Sequence, residues 1–147
     1  VVQLTDDRMT RFWITLEQSF ELVLFALSNM EGGEIFVPRI PSMKVADMFS
    51  AFAPKAKQEI VGIRPGEKLH EILLTDAEAR HAVELEKYFV VLPEQSEIFN
   101  VKEKFKKHIT KGKKLAHGFV FASDTNKAWL TKAEFLAMTK SSLISKT

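Results

Sequence analysis

The sequence predicts a mixed α/β fold of short strands, and three observations support that prediction. Apolar runs of strand length recur: "EIFVP" (34–38), "EIVGI" (59–63) and "KYFVVLP" (87–93). Between and around them stand Ser/Thr residues followed three positions later by Glu or Gln, a pattern that marks helix starts. The length, 147 residues, suits one domain with one core. No internal repeat is present, and the order of strands in a sheet is not encoded by such a pattern.

Composition narrows the class further. The chain is 46% apolar and 27% charged, ordinary for a globular protein. A formal charge of +2 argues against a dedicated nucleic-acid binder, and the absence of cysteine removes disulfides and thiolate metal sites. The longest stretch free of Asp, Glu, Lys and Arg is nine residues, 22–30, whereas a membrane span needs roughly 20 apolar residues. No basic-then-apolar leader opens the chain, so no signal peptide is expected. It begins at Val1 without a methionine, which raises the expectation of a fragment of something longer.

In chain order, "ITLEQSFELVLFALSNMEGG" (14–33) predicts a helix capped by Thr15 with Gln18 and stopped by Gly32 and Gly33. Leu16, Phe20, Val23, Leu24 and Leu27 share one face; Leu22 and Phe25 lie off it, so burial on more than one side is expected. "EIFVP" is a strand ended by proline. "SMKVADMFSAF" (42–52) reads as a helix capped by Ser42, and "EIVGI" as a strand. One or two helical turns are expected over 68–74. Thr75 with Glu78 opens a further helix near 76–85, and "KYFVVLP" is a strand. The segment 94–125 reads as basic and irregular, except that "FVFAS" (119–123) resembles a last strand. Thr131 with Glu134 caps a C-terminal helix within 126–147.

The most informative stretch is "GIRPGEKLHE" (62–71), a Pro-Gly corner directly after an apolar run. Reversing the chain requires the proline and the glycine but neither Arg64 nor Glu67. A guanidinium offers a rigid fork of donors that matches phosphate, and a carboxylate accepts from sugar hydroxyls. Together they fit a ligand carrying negative charge and hydroxyl groups. The plainer account is an Arg64–Glu67 ion pair across a turn, worth about 0–1 kcal/mol at a surface.

Other constellations are weaker. Arg8 and Arg11 lie just before the first helix, whose exposed N–H groups also favour anions, with Asp6 and Asp7 offsetting part of the charge. On a helix, Glu67, His70 and Glu71 would share a face at a spacing able to ligate metal, but no HExxH pattern accompanies them and no metal is expected. Seven lysines stand against Glu103 between 102 and 114, with Phe105 as the sole interleaved aromatic; a solvated face is the plainer account than a nucleic-acid surface. No G-x-G-x-x-G or Walker loop is present. Tyr88, the only tyrosine, has no lysine four residues on.

Three stretches in order, "LTDDRMTRFWITLEQ" (4–18), "GGEIFVPRIPSMKVADM" (32–48) and "GIRPGEKLHE", closely resemble the C-terminal portion of the inverting UDP-N-acetylglucosamine 4,6-dehydratases (5-epimerising). These are extended short-chain dehydrogenase/reductase enzymes of pseudaminic-acid and surface-polysaccharide biosynthesis. The resemblance runs in register from Thr5 to "NKAWLTKAEFL" (126–136), more loosely through the lysine-rich segment. Capsule-type dehydratases share an RPGEK-like corner, so the subfamily and the sugar product stay open.

The resemblance implies a two-part enzyme, homo-oligomeric when intact, whose N-terminal Rossmann part binds NADP and carries the catalytic tyrosine, lysine and aspartate. Its smaller C-terminal part closes over the UDP-sugar. This chain then corresponds to a single substrate-binding domain: a nucleotide-sugar-binding α/β core over 1–93, the basic segment, and the C-terminal helix. It carries no catalytic residue of its own and is expected to be inactive alone. By similarity, Arg64 contacts the UDP diphosphate, Glu67 the uridine ribose, Arg11 supplies a second phosphate-binding arginine, and Thr5 lies near the sugar-nucleotide. The competing reading is a non-catalytic module that keeps only the nucleotide-sugar corner.

Overall fold

The computed structural model describes residues 1–94 and 100–144. Two strands, β1 (Val2–Leu4) and β2 (Thr10–Phe12), lead into α1 (Leu16–Asn29). The predicted capping box forms there: the Thr15 N–H donates to Gln18 Oε1 at 2.9 Å and the Gln18 N–H to Thr15 Oγ1 at 3.1 Å. Gly32 and Gly33, at φ of 99° and 104°, then reverse the chain into β3 (Ile35–Pro38). Next come β4 (Ser42–Lys44) and α2 (Val45–Phe52).

Ser42 is therefore a strand residue and not the helix cap expected of it. It is fully buried; its N–H donates to the Ala128 carbonyl and its Oγ accepts from the Asn126 side-chain amide. Tertiary partners have claimed the groups a cap would use. The chain continues through β5 (Gln58–Ile60), β6 (Ile72–Leu74), α3 (Asp76–Ala79), β7 (Ala82–Glu84) and β8 (Tyr88–Val91).

Two further segments expected to be helical are mostly not. Over 68–71 the carbonyls of Lys68 and Leu69 accept from Thr10 or Arg11, and that of Glu71 from the Ser123 N–H, so they are lost to an i→i+4 ladder. The helix that begins after Thr75 keeps its capping box but lasts one turn, because Ala82, Val83 and Glu84 join a sheet. The basic segment is ordered where described, as α4 (Val101–Lys104), α5 (Lys106–Lys111) and β9 (Lys113–Lys114). Last come β10 (Phe121–Ala122) and α6 (Lys132–Ile144), the latter capped as expected by Thr131 and Glu134.

The chain divides into two compact units. One comprises residues 1–18, 40–72 and 122–147. In it β1 pairs in parallel with β5, β2 pairs antiparallel with β4, and α2 lies along α6. Its apolar contacts centre on Phe135, fully enclosed, which meets the Trp13 ring edge-on at 4.8 Å and the Phe52 ring at 5.2 Å. Met43 and Leu4 are buried beside this framework.

The other unit comprises 19–39 and 73–121 and is built on an antiparallel sheet in the order β3-β8-β7-β9. Its core is Val83, Val90, Leu92, Val101 and Phe105. Val101, Phe105 and His108 recur at i, i+4 and i+7 and face inward, while Lys102, Lys104, Lys106, Lys107 and Lys111 are exposed. That apolar spacing, hidden among lysines, is why the segment looked irregular. Gly112 closes α5 against the sheet: a Cβ there would sit 2.6 Å from that of Val83.

The five-residue apolar stripe of α1 does not enter a core. Leu16 is 73% exposed, Phe20 63% and Leu27 65%, with Val23 and Leu24 also exposed. The helix instead turns its other side inward, through the half-buried Ser19, Leu22, Phe25, Ala26 and Asn29. Helical periodicity identifies an apolar face but not what covers it.

Candidate functional site

The Pro-Gly corner is a tight β-turn. The Glu67 N–H donates to the Arg64 carbonyl at 3.0 Å, across Pro65 and Gly66, and Gly66 has φ of 80°. Proline second and a positive-φ glycine third make a type II turn. The turn is positioned by the β1–β5 pair, whose register matches Leu4 with Ile60 and is extended by the Val61 N–H donating to the Leu4 carbonyl at 2.7 Å. Thr5, the next residue after β1, is thereby held beside the corner.

Glu67 is the hub of the turn. One carboxylate oxygen accepts the Thr5 hydroxyl at 3.2 Å; the other accepts the Arg64 backbone N–H at 3.2 Å. Each oxygen keeps a free lone pair, so the carboxylate is oriented but not used up. The Arg64 side chain is exposed and makes no hydrogen bond or ion pair among the described residues. The ion pair that a surface turn would place between Arg64 and Glu67 does not form: their contacts run through the Arg64 backbone.

Arg11 is occupied. Its Nη1 donates to the Thr10 and Leu69 carbonyls at 2.7 and 3.2 Å, its Nη2 to the Lys68 carbonyl at 2.9 Å, and its Nε lies 3.5 Å from Glu71. Of the five donors on a guanidinium, four are directed at the chain itself, leaving one N–H for an incoming anion. In this geometry Arg11 ties the segment after the corner to β2. Arg8 is more fully engaged: it grips Asp6 through Nε and Nη2 at 2.9 and 2.7 Å, and this hydrogen-bonded pairing holds the Asp6 carboxyl down to about 2.

Thr5, Arg11 and Glu67 line one cavity of about 320 Å³, with Met9, Trp13 and Phe49 among its apolar walls. The Trp13 indole N–H is buried there without a hydrogen-bond partner among the described residues, an uncommon arrangement. Arg64 is not part of the wall but neighbours it through Glu67.

Behind the corner lies a polar cluster that spacing gave no sign of. The Thr10 hydroxyl is 2.6 Å from Ser123 Oγ and 2.8 Å from His70 Nδ1, while the Glu71 N–H donates to Ser123 Oγ at 2.9 Å. Thr10 and Ser123 are almost wholly buried, and 113 positions separate them. His70 Nε2 also stands 3.9 Å from Asp124. These bonds replace the helical Glu67–His70–Glu71 face suggested by the sequence. Among the described residues, no group of three or more His, Asp or Glu side chains is placed to hold a metal ion.

Comparison with known proteins places this geometry in context. The sequence profile of the polysaccharide biosynthesis protein family matches residues 1–93. Over 138 residues the chain is 41% identical to the UDP-N-acetylglucosamine 4,6-dehydratase (inverting) of Campylobacter jejuni, covering 90% of this chain and 40% of that one. Over 90 residues it is 34% identical to the UDP-glucose 4-epimerase of Rickettsia canadensis, covering 58% of this chain and 26% of that one. The X-ray structure of Pen from Bacillus thuringiensis superposes with a TM-score of 0.73 at 26% identity, over 97% of this chain and 40% of that one.

The chain thus spans about 40% of the length of the Campylobacter relative. The mixed α/β fold of small sheets, close to an extended short-chain dehydrogenase/reductase-like protein, is as the sequence predicted; no Rossmann sheet occurs among the described residues. With its profile match spanning well over half of the residues, this chain belongs to the polysaccharide biosynthesis protein family.

Proposed function

We propose that this chain binds the UDP moiety of UDP-N-acetylglucosamine and forms the substrate-closing part of an inverting 4,6-dehydratase. One observation carries the reading. A type II turn presents an unpartnered guanidinium, Arg64, next to a carboxylate, Glu67, whose orientation is fixed from both sides by Thr5 and the Arg64 N–H. Arg64 reaches the diphosphate as a charge-assisted fork. Glu67 accepts from the ribose hydroxyls through its free lone pairs. Thr5 lies near the sugar-nucleotide and keeps the carboxylate in place. Arg11 contributes its remaining N–H to the phosphates while anchoring the loop, which makes it the lesser of the two phosphate contacts. The 41% identity to the inverting dehydratase over most of this chain supports the same assignment.

These are positioning roles: they supply binding energy and orientation to chemistry performed elsewhere. NADP, which supplies the hydride chemistry when bound, would be held by a Rossmann part; this chain has no glycine fingerprint to cradle it. The reaction takes place in the cytoplasm, as one step of surface-polysaccharide or nonulosonic-acid synthesis. Arg64→Ala in the full-length protein is expected to lower kcat/KM for UDP-N-acetylglucosamine by about 2–4 kcal/mol of transition-state binding, the scale of one charge-assisted contact. Steady-state kinetics indistinguishable from the parent would refute the assignment of Arg64.

A further inference from the structure

The sheet-based unit contains a cavity of its own, of about 380 Å³, walled by α1, the β7–β8 turn and α5. Its volume lies within the range of small-molecule sites. The apolar wall is Phe25, Leu85 and Tyr88, and the Phe25 and Tyr88 rings stack at 4.3 Å with 25° between their planes. Lys87, Lys107 and Lys111 also line it, all exposed and none ion-paired among the described residues. Glu21 and Glu86 offset two of those charges and leave the wall with one net positive charge. None of Thr5, Arg11, Arg64 and Glu67 belongs to this unit.

A stacked aromatic pair beside three unpaired ammonium groups combines two different demands on a ligand. The rings favour a flat apolar body. The lysines favour compact negative charge, which they hold as point donors. We infer that this cavity is a second ligand site, which takes a small aromatic ring bearing a phosphate monoester or similarly dianionic group. The inner wall adds a buried polar atom: His108 is 3% exposed, and its Nε2 makes no hydrogen bond among the described residues, lying 3.5 Å from Glu34. A ligand filling the cavity would change the surroundings of that ring.

Tyr88 is the only tyrosine in the chain, so 3-fluorotyrosine labelling gives one fluorine resonance located in this wall. Titration with phenyl phosphate is expected to shift that resonance saturably, at least tenfold more tightly than phenol or inorganic phosphate alone. Lys107→Ala/Lys111→Ala is expected to weaken phenyl phosphate at least tenfold with an unchanged far-ultraviolet circular dichroism spectrum. Lys87→Gln, on a different element, should weaken it as well, which guards against a local misfolding of α5. Arg64→Ala should leave it unaffected, so the result stands apart from the nucleotide-sugar reading. An unmoved resonance, equal affinity for phenol, or undiminished binding in both lysine variants would overturn the inference.

Discussion

Arg64 and Arg11 show how far a side chain's type decides its role and where its neighbours decide instead. The corner itself was legible, since Pro65 and Gly66 demand the turn that forms. The carbonyls of Lys68 and Leu69, which claim Arg11, carry no signature in a sequence because every residue has one. Arg11→Ala is expected to cost about 1–3 kcal/mol of stability by urea denaturation, from lost charged hydrogen bonds and newly unpaired carbonyls. Arg64→Ala, which removes no internal bond, is expected to leave stability within about 0.5 kcal/mol while damaging kcat/KM. The two variants therefore separate anchoring from ligand contact, and equal stability of both would remove the distinction. Thr10 and Ser123, whose hydroxyls support the corner from opposite regions of the chain, were invisible for a related reason: their meeting depends on tertiary structure alone.

At the scale of elements, helix starts marked by a capping box were legible, whereas the start expected at Ser42 and the lengths of helices were not. Thr15 with Gln18, Thr75 with Glu78 and Thr131 with Glu134 all cap as predicted, because a capping box is a local exchange of hydrogen bonds. How far a helix runs is decided by competition, and after Ala79 the sheet partners of Val83 prevail. The link from α1 to β3 depends on Glu34, whose side chain is nearly sealed from solvent and accepts the Glu31 and Gly32 N–H groups. Burial pushes its carboxyl upward, but those N–H groups and His108 outweigh it and hold it below its ordinary 4.5. A carboxyl lowered in the folded state stabilises fully above the unfolded value and loses that contribution as pH falls through the folded one. Glu34→Gln is thus expected to lower stability by about 1–2 kcal/mol at pH 7, with the gap to the parent narrowing below about pH 4.5. Denaturation series at pH 7 and pH 3.5 that give the same gap would show that Glu34 carries no such linkage.

For the whole molecule, the outward stripe of α1 has a calorimetric consequence. Unfolding raises the heat capacity in proportion to the apolar surface newly wetted, ordinarily about 12–15 cal/mol/K per residue. Leu16, Phe20, Val23, Leu24 and Leu27 are already wet before the chain melts, and so contribute little to that increment. Scanning calorimetry of the 147-residue chain is therefore expected to give a heat-capacity step below that per-residue norm, and a flatter stability curve with temperature. A full-sized step would mean that the stripe is sheltered in solution.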